Sequence, residues 1–275
     1  MSIAIDLEGR VVLVCGVGRG GIGGATARRI AAAGATVFAV DHQQALVDQT
    51  IADIQAAGGR CEGMVADLTD EAQSDKVVQT LVGRFDRLDG VANVAGGTRE
   101  HEWLKLEETP TSVFRDVINL NLEYVFRICR DAATFMIARG SQGSLVNVGS
   151  ISMLSSAPFH GPYGAAKSGI AALTRTMSIE WKHHGIRANT VSPGAVATER
   201  VTSRPGWGSN TTTGGATANL ASVDELANAI VFLLSDLASG ISGQNLVVDG
   251  ALSANFCAGP REQFARSLYQ APAEA

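Results

Sequence analysis

Tyr163 and Lys167 stand four residues apart in the segment GPYGAAKSGIAALTRTM. On a helix that spacing puts both side chains on one face. A phenol, with an ordinary pKa of about 10, is a poor base at neutral pH. An ammonium group held beside it stabilises the phenolate and lowers that value, which makes a usable acid/base. Ser150 lies thirteen residues before Tyr163, just past the run Leu145 to Gly149, where its hydroxyl could reach the same substrate oxygen. Ser152 is a competing candidate, and either serine alone also reads as an ordinary turn residue. The chemistry that suits this set is proton transfer at the oxygen of an alcohol or a ketone.

A second constellation lies near the other end of the chain. The stretch Leu13 to Ala27, LVCGVGRGGIGGATA, holds six glycines in fifteen residues. Gly16, Gly18 and Gly21 satisfy G-x-G-x-x-G, and so do Gly18, Gly20 and Gly23, so the pattern alone decides little. Its flanks are more informative. Val11 to Val14 is an apolar run of the kind buried on both faces in parallel strands. A helix pattern follows from Gly23 and stops at Gly34, and a second strand runs from Thr36 to Val40 and ends in Asp41. Strand, glycine turn, helix, strand and acid is the order of a dinucleotide-binding unit, in which the pyrophosphate faces a helix N-terminus. Asp41, eighteen residues past Gly23, is placed to accept hydrogen bonds from ribose hydroxyls. The plainer alternative is a glycine-rich turn without a ligand.

The remaining chain repeats the theme of strand then helix. Further strands are expected at Cys61 to Ala66, Val91 to Ala95, Ser144 to Val148, Ala188 to Val191 and Asn245 to Val248. Helices are expected at Asp70 to Phe85, Thr111 to Ala138, Tyr163 to His183 and Asp224 to Leu234. This alternation predicts an α/β fold: one doubly wound parallel sheet with helices on both faces and ligands beyond the C-terminal strand ends. No linker interrupts the 275 residues, so a single domain is expected, with a substrate loop at 199–218 and a C-terminal extension at 255–275.

Composition narrows the function classes. A hydrophobic content of 45% with only 5% aromatic residues describes a globular core of small aliphatic side chains. The formal charge of −5 leaves no basic patch for nucleic acid, and no apolar run is long enough for a membrane span. The N-terminus lacks the basic-then-apolar build of a secretion signal. Cys15, Cys61, Cys129 and Cys257 show no metal-ligand spacing, which makes reduced thiols in the cytoplasm the expectation and gives no metal site.

With these blocks in order, the chain resembles the short-chain dehydrogenase/reductase family from Gly9 to about Ala254. The matching blocks are GIGGATA, Asp67-Leu68, NVAG at Asn93 to Gly96, Asn121, the Ser150/Tyr163/Lys167 set, PGAVAT at Pro193 to Thr198, and VDG at Val248 to Gly250. The resemblance implies a Rossmann-like fold and a proton-relay tetrad. In it Tyr163 is the acid/base, Lys167 lowers its pKa and holds the nicotinamide ribose, Ser150 orients the substrate oxygen, and Asn121 positions a water behind Lys167. Asn119 is a neighbouring distractor. The resemblance also implies cofactor contacts from Gly16, Arg19, Gly21, Ile22, Gly23, Asp41, Asp67, Leu68, Asn93, Ala95, Gly96, Pro193, Gly194, Val196 and Thr198, besides Tyr163 and Lys167. The chain departs from the family pattern at three points. Cys15 replaces a threonine, one residue is added between Gly16 and Gly21, and Tyr124 replaces a glycine.

Two residues oppose each other over the cofactor's form. Arg19 could pair with a 2′-phosphate, whereas Asp41 would repel it in a partly desolvated pocket. Asp41 prevails, and NAD is predicted. The resemblance places the substrate pocket after Gly96, after Ser150 and in 199–218, with Trp103, Met153, Leu154, Phe159, His160 and Trp207 as candidate walls. An apolar pocket suits a cyclic or aromatic secondary alcohol or ketone, such as a steroid or terpenoid. A 3-oxoacyl-[acyl-carrier-protein] reductase is the enzymatic alternative. An enoyl reductase fits less well, because its usual tyrosine-to-lysine spacing is longer. A non-catalytic nucleotide-binding protein is the third possibility, disfavoured because all four tetrad residues are present. The resemblance further implies a homotetramer built on the helices at Thr111 to Ala138 and Tyr163 to His183.

Overall fold

The computed structural model describes residues 4–18, 20–199 and 220–254. Seven parallel strands form one sheet in the order β3-β2-β1-β4-β5-β6-β7. They are β1 Val11–Cys15, β2 Thr36–Asp41, β3 Arg60–Val65, β4 Gly90–Asn93, β5 Gly143–Val148, β6 Ile186–Pro193 and β7 Asn245–Val248. The connecting helices are α1 Ile22–Ala32, α2 Gln44–Ala56, α3 Glu71–Phe85, α4 Thr111–Ile118, α5 Tyr124–Arg139, α6 Gly161–Glu180 and α7 Val223–Leu234. The strand order reverses between β1 and β4. A doubly wound sheet opens a crevice beyond the C-terminal strand ends at such a point.

Strand β1 shows why the sheet must be covered twice. Val11, Leu13 and Cys15 enter a core shared with α3, α5 and α6, while Val12 and Val14 enter a second core under α1 and α7. All five are buried. Each fully buried aliphatic side chain contributes roughly 1.5–3 kcal/mol, so both helical layers are anchored by the same strand.

Local signals set the helix ends. Asp70 caps α3 by accepting from the Gln73 N–H, and Ser222 with Glu225 forms a capping box at the start of α7. Two departures from expectation bear on the site. Helix α2, with Val47, Thr50 and Ile54 buried, occupies a stretch where no helix is expected from the sequence. The continuous helix expected over Thr111 to Ala138 is split by a single π turn, Asn119–Glu123. Among the described residues no helix is long and apolar enough to cross a membrane. Cys15, Cys61 and Cys129 are free and buried, and Cys257 lies outside the described residues.

Candidate active site

The glycine turn leaves β1 and meets the turn that leaves β4. Gly16 adopts φ +88°, and a Cβ there would sit 2.6 Å from the Ala95 backbone. A Cβ on Gly23 would lie 1.6 Å from the Gly16 carbonyl oxygen. These contacts hold backbone against backbone and leave no room for side chains. Helix α1 starts after Gly21 with no side chain capping its N–H groups and no acidic residue in its first turn. That arrangement suits an anion approaching the helix end, so the residues present fit a nucleotide pyrophosphate. Gly21, Ile22 and Gly23 stand at that end, and Arg19 lies outside the described residues.

Asp41 ends β2 with its carboxylate nearly buried. Its Oδ2 accepts from the Val17 N–H at 3.0 Å, and its Oδ1 from the Gln43 N–H at 3.3 Å. The His42 ring lies 2.9 Å from Oδ1. The carboxylate thus ties down the turn that carries the added residue, and each oxygen keeps lone-pair capacity for a further donor. Asp67 and Leu68 follow β3, with Asp67 exposed and its Oδ1 accepting from Thr69. On the far side, Pro193 closes β6, the Gly194 N–H donates to the Val248 carbonyl, and Val196 forms a bridge with Ala221. Beyond Thr198, the Glu199 N–H donates to the Gly20 carbonyl at 3.3 Å. This contact joins the glycine turn to the segment after β6, and no sequence pattern announces it.

The chemical groups lie at the ends of β4 and β5. Lys167, on α6, donates to the Val148 carbonyl at 2.8 Å, and its Nζ lies 5.5 Å from the centre of the Tyr163 ring. Burial pulls the Lys167 ammonium down from 10.5 to about 7, because the charged form loses its water shell. Ser150 lies just past β5, and its Oγ accepts from the Ser152 N–H at 3.1 Å. With that bond made, the hydroxyl proton remains for a substrate oxygen. The Ser152 hydroxyl is buried with no partner among the described residues.

Asn121 is fully buried on the π turn. Its amide accepts from the Gly97 N–H at 2.8 Å and donates to the Gly97 and Val117 carbonyls, both at 2.9 Å. Asn119 instead donates to the Thr69 carbonyl and accepts from Arg127, away from this cluster. A Cβ on Gly96 would lie 2.7 Å from Asn121 Oδ1 and 3.4 Å from Lys167 Nζ, so Gly96 lies against both groups. Asn93 is buried and donates to Asn147 Oδ1 and Cys129 Sγ, which links β4, β5 and α5 below the crevice.

An aromatic row leads away from Tyr163. His160 meets Trp103 edge-on at 4.1 Å between ring centres, and Tyr163 at 6.5 Å. Its Nδ1 faces the Pro158 carbonyl at 3.2 Å. A carbonyl only accepts, so Nδ1 is the donor in this contact. Leu154 and Phe159 are exposed nearby in sequence, Met153 contacts Ser192, and Trp207 lies outside the described residues. Sequence reasoning missed Tyr124 as a contributor. Its buried hydroxyl donates to the Ala95 carbonyl at 2.6 Å, and the only visible sign was an unexpected tyrosine in NLNLEYVF.

The family model described as "Enoyl-(Acyl carrier protein) reductase" matches residues 16–253. The chain is 32% identical over 247 residues to the 3-oxoacyl-[acyl-carrier-protein] reductase FabG of Thermotoga maritima, covering 90% of this chain and 98% of that one. It is equally 32% identical, over 253 residues, to the 2,5-dichloro-2,5-cyclohexadiene-1,4-diol dehydrogenase of Sphingobium indicum, covering 90% and 99%. A solved short-chain dehydrogenase/reductase from Burkholderia xenovorans superposes with a TM-score of 0.84 at 30% identity, covering 92% of this chain and all of that one. The crevice at the β1/β4 reversal, its glycine turn and these likenesses converge: the chain is an oxidoreductase that belongs to the short-chain dehydrogenase/reductase family.

Proposed function

We propose that the protein is an NAD-dependent dehydrogenase interconverting a secondary alcohol and a ketone, on a cyclic, aromatic or steroid-like substrate. The observation that carries this is the grouping at the end of β5. Tyr163 and Lys167 share one face of α6, and the Ser150 hydroxyl is already oriented by the Ser152 N–H. In the oxidation direction Ser150 donates to the substrate oxygen and Tyr163, as phenolate, takes its proton. Lys167 stabilises that phenolate, and Asn121 holds a water behind Lys167. The nicotinamide supplies the hydride acceptor when it is bound. Because the base must be deprotonated and Lys167 must stay charged to stabilise it, oxidation speeds up as pH rises towards about 7, where Lys167 releases its proton.

The glycine turn, the start of α1 and Asp41 would hold the dinucleotide, with the turns after β3, β4 and β6 closing its sides. A 2′-phosphate would face the nearly buried Asp41 carboxylate, which favours NAD(H). The Trp103, His160 and Tyr163 rings support a ring-shaped substrate, and the diol-dehydrogenase relative acts on a cyclic alcohol by its name. The proposal extends to a homotetramer working in the cytoplasm. Phe114 on α4 and Phe126 on α5 are both more than 40% exposed and offer apolar surface to a second copy.

The test is a titration of both cofactors against a panel of cyclic secondary alcohols, followed by nicotinamide absorbance. The expected result is higher kcat/KM with NAD(H), and equal or better efficiency with NADP(H) overturns the cofactor assignment. Identity to FabG matches that to the diol dehydrogenase, so acyl-thioester reduction is the second reading. Adding acetoacetyl thioester with NADPH to the same panel separates the two.

A further inference from the structure

The turn after β4 lies beyond the strand ladder, which ends at Asn93, so other groups must hold its backbone. The Val94 and Ala95 N–H groups both donate to the Cys15 carbonyl, at 2.9 and 2.8 Å. The Gly97 N–H and carbonyl are both taken by the Asn121 amide. The Ala95 carbonyl is taken by the Tyr124 hydroxyl at 2.6 Å. What remains is Gly96, exposed in the crevice, whose N–H and carbonyl have no partner among the described residues. Gly96 and Gly97 adopt φ +142° and +118°, conformations that only glycine reaches without strain. Two such residues in succession give the turn little stiffness of its own.

We propose that Tyr124 is a positioning residue: by gripping the Ala95 carbonyl it fixes the Gly96 backbone beside Asn121 and Lys167, where the nucleotide must lie. This rests on the nucleotide-binding reading above. Tyr124 begins α5 three residues after Asn121, so the two ends of the turn are held from one stretch of chain, with Ala95 gripped by the phenol and Gly97 by the amide. The tyrosine is completely buried, and burial holds its phenol in the protonated, donating form. The grip therefore persists throughout the working pH range. Substitution of the hydroxyl by hydrogen would leave the Ala95 carbonyl unpaired and free the turn to rotate about Gly96 and Gly97.

Tyr124→Phe keeps the ring, and Tyr124→Met serves as a second variant that fills the space without a hydroxyl. Amide hydrogen exchange on the cofactor-free protein is expected to show the Gly97 N–H exchanging about tenfold faster, with the amides of β1 and β5 unchanged. Calorimetric titration is expected to show NAD dissociating about fivefold more readily, the scale of one lost hydrogen bond. Unaltered exchange at Gly97 overturns the proposal, and so does a lowered Tm with unaltered NAD affinity, which would mark Tyr124 as packing alone. If the unmodified protein binds neither NAD nor NADP, the nucleotide reading has failed, and faster or unaltered Gly97 exchange still decides whether Tyr124 holds the turn.

Discussion

The two ends of the crevice are made of different material. At the β1/β2 end the close contacts are between backbone atoms, Gly16 against Ala95 and Gly23 against the Gly16 carbonyl, with one side chain, the Asp41 carboxylate, accepting from the Val17 N–H. At the β5/α6 end they are made by side chains, each with its own anchor: Lys167 on Val148, Ser150 on the Ser152 N–H. A backbone cradle is defined by where atoms are missing, so an added residue fits as long as the tight approaches survive. A side-chain site is defined by angular spacing, and one residue more between Tyr163 and Lys167 would turn them from about 40° to about 140° apart on the helix.

The largest effect that tests this contrast is expected from Tyr163→Phe. Removing the titrating oxygen while keeping the ring should lower kcat by roughly 10²-fold to 10⁴-fold with NAD affinity unchanged, and a variant keeping more than about a tenth of kcat would displace Tyr163 as the base. At the other end, Gly23→Ala puts a methyl 1.6 Å from a carbonyl oxygen. Overpacking of this kind costs roughly 1–3 kcal/mol or more, so NAD affinity is expected to fall at least about tenfold. The same exchange at Gly18, where a Cβ meets nothing within 4 Å among the described residues, should change affinity less than about twofold. Equal penalties at the two glycines in a binding titration would mean that flexibility, not close approach, is what the turn requires.

Lys167→Met should separate activity from stability. The folded chain releases this proton near 7, while the unfolded lysine keeps it to 10.5. The unmodified protein therefore gains stability as pH rises through that window and bears the full cost of the buried charge below it. Methionine removes the cost, so the variant is expected to melt higher by a few degrees at about pH 6, with the advantage shrinking towards pH 10. Its activity should collapse. A lower Tm at about pH 6 would show that the ammonium is stabilised in place.

The central strands were legible because parallel strands buried on both faces appear as short apolar runs, as in β1 and β2, whereas the edge strand β3, RCEGMV, has a single buried residue and was read from the turn that ends it. The tyrosine and lysine stood out because a shared helix face demands a four-residue spacing, whereas Ser150 and Ser152 were both candidates until the family pattern favoured Ser150. Helix α2 escaped notice because its buried positions include Thr50 beside Val47 and Ile54, which weakens the apolar stripe. The partners of Asp41 and Tyr124 could not be read at all, since Val17 and Ala95 are reached through backbone atoms that carry no residue identity. The choice between Asn119 and Asn121 came from the family pattern. Asn119 faces Thr69 and Arg127, whereas the π turn brings Asn121 to Gly97.

That π turn has an evolutionary corollary. A wide turn of this type is an ordinary helix carrying one surplus residue. Losing a single codon within 119–123 would restore regular α geometry and draw in the widened turn that carries Asn121, with the flanking helices kept in phase. Asn121 and Tyr124 would then no longer share a grip on the β4 turn, although no functional side chain had been substituted. The region can drift in amino-acid identity at its outward positions while remaining intolerant of changes in length. In the glycine turn across the crevice the constraint is the reverse, since the close approaches at Gly16 and Gly23 limit which residues can stand there.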